Sequence, residues 1–203
     1  MKKFISLLVV LLLPLSNLAA ADWAPARLTF LGPIYQLIIT DLDAPSPTLD
    51  SFPDVKTVAG IDLGILGTYT PRVYGVQLST LIAGGKFHGV QIGGLMAIDG
   101  GSSEDKSFGL QFSSLLSLSD PMTGIQTSAL IAAGDVAGIK IAPFSLGEID
   151  GLSIHLLGWS DKVSGVQIGV LNRAKILKGV QIGVINIADN GYLPFSPIIN
   201  ARF

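Results

Sequence analysis

The sequence predicts an all-β fold, a parallel β-solenoid or β-roll of about nine repeats of 14–15 residues, and three observations predict it. First, a phrase opening on glycine recurs nine times: GIDLGIL at Gly60, GVQLSTL at Gly75, GVQIGGL at Gly89, GLQFSSL at Gly109, GIQTSAL at Gly124, GIKIAPF at Gly138, GLSIHLL at Gly151, GVQIGVL at Gly165 and GVQIGVI at Gly179. Second, subtracting successive glycine numbers gives 15, 14, 20, 15, 14, 13, 14 and 14, one register with one long exception. Third, every copy runs through the same residue kinds in the same direction. Coils stacked by translation produce that pattern, whereas antiparallel strands reverse direction at each step.

Counting glycine as the first position, the second is always branched aliphatic (Ile61, Val76, Val90 and onward to Val180), and the fourth is apolar except at Thr127. The third is usually polar: Gln77, Gln91, Gln111, Gln126, Gln167 and Gln181, with Asp62, Lys140 and Ser153 in the other copies. Alternation of this kind is a strand with one face buried, and Val and Ile suit a pleated surface. The expected reading puts the aliphatic residues in the core and the glutamines outward, stacked as a ladder on a face open to a partner. Small residues at the fifth position mark a corner, after which the apolar seventh position turns back inward.

The flanks have other chemistry. MKKFISLLVVLLLPLSNLAAAD carries two lysines, an apolar run and small residues at Ala19 and Ala21, so residues 1–21 read as a secretory signal peptide. Residues 22–59, with DAPSPTLDSFPD, read as an N-terminal cap outside the repeat; 60–190 form the repeat domain and 191–203 a C-terminal cap. The spacing of 20 accommodates GGSSED, a surface insertion at a coil corner. Without its two leader lysines the chain's net charge moves from −2 to about −4, with no basic cluster for nucleic acid. The lack of cysteine excludes disulfides and a lipid attached at a cleavage-site Cys. Charged residues make up only 14% of the chain, against about 25% in an ordinary soluble domain. Much of its surface must therefore be buried or face lipid.

The tandem GVQIGVLNRAKILKGVQIGVINIADNG, the ending LPFSPIIN and the opening RLTFLGPIYQLI resemble the leptospiral-type surface-repeat family of exported bacterial proteins. The early copies depart from that pattern, since Asn at the eighth position is present only as Asn172 and Asn186. The resemblance implies association with the cell surface or outer membrane and supplies no catalytic residues.

The residues themselves show no catalytic constellation. His88 and His155 are the only histidines, and neither has a ligand-spaced partner. Asp41, Asp43 and Asp50 lack the glycine and distal glutamate of a calcium loop, and no phosphate-loop signature accompanies the glycines. The expectation is a non-enzymatic protein without cofactor or metal, exported to the cell surface, outer membrane or periplasm of a Gram-negative-type bacterium. Its role would be structural or partner-binding, toward a protein, a glycan or another envelope component. The alternative is an antiparallel transmembrane β-barrel acting as a channel or transporter: a unit could hold a spanning strand and a turn, and the chain ends in Phe203. Four Tyr and two Trp are few for two aromatic girdles.

Overall fold

The computed structural model describes residues 23–31, 57–100 and 106–203, and all the regular structure there is strand. In chain order the elements are β1 (Trp23–Leu31), β2 (Thr57–Ser79), β3 (Ile82–Gly93), β4 (Met96–Ile98), β5 (Ser107–Ser113), β6 (Leu116–Ser128), β7 (Ile131–Ile141), β8 (Phe144–Leu146), β9 (Ile149–Ile154), β10 (Leu157–Ala188) and β11 (Phe195–Arg202). The leader, the DAPSPTLD run with its three aspartates, and Gly101 to Asp105 of the insertion lie outside the described residues.

Ladders from β1 to β10 are parallel, and the repeat glycines pair with one another: Gly75 with Gly89, Gly89 with Gly109, Gly109 with Gly124, and so on to Gly151 with Gly165. This is the expected parallel solenoid, and it replaces the antiparallel barrel considered beside it. Each coil has a glycine-led arm, a first corner at the small residues, a short second arm such as β4 or β8, a second corner, and a return arm to the next glycine. The insertion after Asp99 falls at a second corner, and the next rung pairs in register with the last: His88 with Phe108, Gln91 with Gln111.

The repeat glycine is required by crowding between coils. Gly165 has φ +133°, a region L side chains rarely adopt, and a Cβ built there would lie 2.1 Å from the carbonyl oxygen of Gly151 on the coil below. Gly179 meets Gly165 in the same way at 1.9 Å. One coil's carbonyl thus occupies the space of the next coil's missing side chain.

The apolar core is narrow: a column two residues before the repeat glycines, Val58, Val73, Phe87, Met122, Val136, Ile149, Val163 and Leu177, with Ser107 in the Gly109 copy, and beside it buried alanines such as Ala83, Ala97, Ala132 and Ala174. That corrects the expected core. Second-position residues such as Ile61 and Leu110 are exposed, the others in that column are half-buried, and the seventh-position Leu95, Leu115, Leu130 and Phe144 face out. Alternation along the arm is as expected, but its sign is opposite.

Both ends depart from the simple repeat. In β1, Ala26, Arg27 and Leu28 take the rungs opposite Ile61, Asp62 and Leu63, so the segment read as a non-repeat cap contributes a further in-register arm. At the far end β11 pairs antiparallel to the last arm of β10, setting Asn200 against Gln181. An antiparallel strand ends the translational stacking.

Gly165→Val should destabilise the fold by about 3 kcal/mol or more, since it combines a strained φ with a side chain where a backbone oxygen already sits. Gly100→Ala, whose nearest atom would be an Ile98 methyl at 3.8 Å, should be neutral, as thermal or denaturant melts of the two variants would reveal.

Candidate functional site

The six glutamines singled out from the sequence are brought together, but inside. Gln77, Gln91, Gln111, Gln126, Gln167 and Gln181 are each 0% exposed. The ladder forms: the side-chain amide of Gln91 donates to Gln77 at 2.8 Å, Gln111 to Gln91 at 2.9 Å, Gln126 to Gln111 at 3.0 Å, and Gln181 to Gln167 at 2.8 Å. An outer interaction face built from these residues is therefore corrected to an interior spine. The reason is local: amide donors also reach across the coil to backbone carbonyls around the second corner, Gln77 to Gly84, Gln91 to Gly85, Gln111 to Leu118 and Gln126 to Ala133. Buried carbonyls need partners, and a glutamine amide has two protons, one for the rung below and one for the corner.

The spine begins at a charge pair. Arg27 donates to both oxygens of Asp62, at 3.0 and 3.2 Å, and Asp62 in turn accepts from Thr68, Thr70 and Gln77. Farther along, Lys140 stands where a glutamine would. Its ammonium turns to the carbonyls of Gly134 and Leu146, and Gln126 Oε1 is left without a partner. Burial pushes the Lys140 pKa down to about 8, while Asp135 acts in the opposite direction.

Beyond Lys140 the polar interior continues through Ser145, Ser153, His155, Asn172 and Asn186. Asn172 uses its amide nitrogen on Asn186 Oδ1 and the Ile182 carbonyl, so its oxygen accepts from His155 Nε2–H at 2.7 Å. That leaves His155 Nδ1 to accept from the Ser153 hydroxyl at 2.9 Å. Burial lowers the His155 pKa and favours this neutral imidazole. In an open cleft a serine donating to an imidazole could be a nucleophile; Ser153 and His155 are 1% and 6% exposed, and their neighbours are other coil residues. His88, read as a solvated corner residue, stacks on Tyr74 with ring centroids 4.8 Å apart and is half-buried. Among the described residues no group of three His, Cys, Asp or Glu converges as a metal site.

The outward residues complete the site, and the aliphatics of the glycine-led arms among them are the ones that the sequence reading placed inside. Ile168, Val170, Ile182 and Val184 project from successive glycine-led arms, and Leu146 and Trp159 from second arms. Exposed charges gather at and past the second corner, where they pair, Lys175 with Asp161 at 2.6 Å and Arg173 with Asp189 at 3.9 Å, while Lys86, itself buried, pairs inward with Asp99 at 3.4 Å and outward with Asp120 at 3.6 Å. The coil is polar within, apolar on two sides and charged along one ridge.

Gln111→Leu should cost about 1–3 kcal/mol with the fold retained, because it strips Gln91 Oε1 of its donor and the Gln126 amide of an acceptor, a loss measurable by denaturant titration. Burial holds the folded Lys140 pKa below the ordinary lysine value of 10.5, so its burial penalty is full below about pH 8 and stability rises as pH climbs from there toward 10.5. Lys140→Gln should remove that rise and add about 2–3 kcal/mol at neutral pH, as melts across the pH range would record. No family model matches the chain, and no curated protein or solved structure matches it either.

Proposed function

We propose that this chain is an exported envelope protein of a Gram-negative-type bacterium, with a structural or partner-binding role and no catalysis. The observation that carries the reading is where the chemistry lies. Most groups able to donate, accept or titrate in the coil interior are tied to one another or to the coil's own backbone, and what the two broad outer sides offer is largely uncharged aliphatic and aromatic surface. Such a body works by contact. The leader-like first 21 residues and the resemblance of GVQIGVLNRAKILKGVQIGVINIADNG to an exported surface-repeat family give the address.

The test is expression with the native leader in a Gram-negative host, followed by fractionation and N-terminal sequencing. Cleavage after Ala21 and recovery in the envelope fraction are expected. A full-length product in the cytoplasm would overturn the reading. Protease added to intact cells should cut at GGSSED if the protein is displayed at the surface, and only after lysis if it faces the periplasm.

A further inference from the structure

We propose that the two apolar sides and the corner between them seat in the hydrocarbon of one membrane leaflet, with the solenoid axis lying along the surface and the charged ridge in water. The proposal rests on the envelope reading above and names the contact that it leaves open.

Three observations select lipid as the occupant. The apolar surface goes round a corner in the C-terminal coils, from the outward aliphatics of the glycine-led arm, exemplified by Ile168, over Val170 and Val184, to second-arm residues such as Trp159; in the middle coils the corner carries the uncharged Thr80, Gly94, Ser114 and Ala129. A second folded copy offers a flat or concave patch to one side, whereas a fluid conforms to both sides of a wedge. Charge is nearly absent from this wedge: from the glycine to the end of the second arm, the single charged side chain of the repeats that does not point inward is Arg173, at the border column of Trp159, where it pairs with Asp189. Aromatic residues mark its border at the second corner. Trp159 and Tyr69, 49% and 42% exposed, occupy the last outward position there. That border turns charged at once, with Asp161 two residues beyond Trp159. Rings at that level are what a membrane–water interface selects.

The dimensions and the backbone agree. A glycine-led arm of about five residues at ~3.3 Å each spans ~15 Å, half of a ~30 Å hydrocarbon core. Parallel ladders satisfy the arms' N–H and C=O groups within the stack, and the interior amides serve the corner carbonyls, so the immersed wedge carries few unpaired polar groups into lipid.

The experiment uses the whole chain without its leader, in a Trp23→Phe background so that Trp159 is the sole indole. Sedimentation with phosphatidylcholine vesicles is expected to carry the protein down and to resist high salt, since the contact is apolar. Lipids brominated along the acyl chain should quench and blue-shift Trp159. Val170→Asp with Val184→Asp should lower partitioning at least about tenfold, because carboxylates resist entering hydrocarbon; Lys162→Gln on the ridge should leave it unchanged. Both variants are first matched to the parent by thermal melt, which their exposed sites permit.

Failure to sediment, with Trp159 unquenched, overturns the lipid contact while envelope fractionation still stands. Association into dimers without lipid, abolished by the same aspartates, would assign the wedge to a second copy and likewise overturn it. Vesicle binding by a chain that cells retain in the cytoplasm would instead sink the envelope reading and leave the lipid contact.

Discussion

Everything in this fold depends on how closely successive coils approach at the glycine column. The carbonyl of one repeat glycine lies where the next would carry a Cβ, about 2 Å away for Gly151 and Gly165. That contact sets the register, because any slip would bring a Val or Gln against the oxygen. Register then places equivalent residues directly above one another. Glutamine stacks on glutamine only because glycine stacks on glycine.

A stacked amide column solves a problem the corners create. A strand that turns sharply leaves carbonyls aimed into the coil, where no water reaches them. Glutamine spans the gap and still has a proton for its neighbour. Where Lys140 interrupts the series, the same carbonyl need is met by an ammonium and an amide oxygen goes unpartnered. The Ser–His–Asn network downstream performs a related duty with different groups, binding coil to coil through buried polar contacts. Its catalytic look is thus a consequence of filling a polar interior.

GVQIGVL made several of these features legible. Its spacing gave parallel stacking, its small residues the corner, and its glutamines a ladder. The sign of the alternation was misread, for a physical reason: periodicity says which residues share a side but not which side faces in, and the sign came from assuming water outside. A better signal was present. Gly165, Gln167 and Gly169 share one side of the strand, and residues without bulk on one side mean that side is crowded. Crowding points to the interior of a narrow coil more reliably than hydropathy does. The β1 arm was missed because Ala26, Arg27 and Leu28 lack the glycine that identified the other copies, Pro25 standing where it would be.

The inversion also follows from capacity. A coil of this length encloses few side chains, and the one beginning at Gly165 buries Gln167, Asn172, Ala174 and Leu177, a single large aliphatic residue among them. Val166, Ile168, Val170, Leu171 and Ile176 belong to the same coil and remain outside or at its margin. Fewer inward positions than aliphatic residues means that the coil cannot hide its surplus by folding alone. Were water to surround it on every side, the columns outside would be an unrelieved cost repeated at each rung, and mutation toward polar residues there would be free of structural penalty. The second and fourth positions stay aliphatic or aromatic in every copy but for Thr127, whereas the residue before each glycine varies freely, as His88, Phe108, Asp150 and Lys178. Apolar columns kept through the repeat beside one that tolerates anything are what the proposed lipid contact would require.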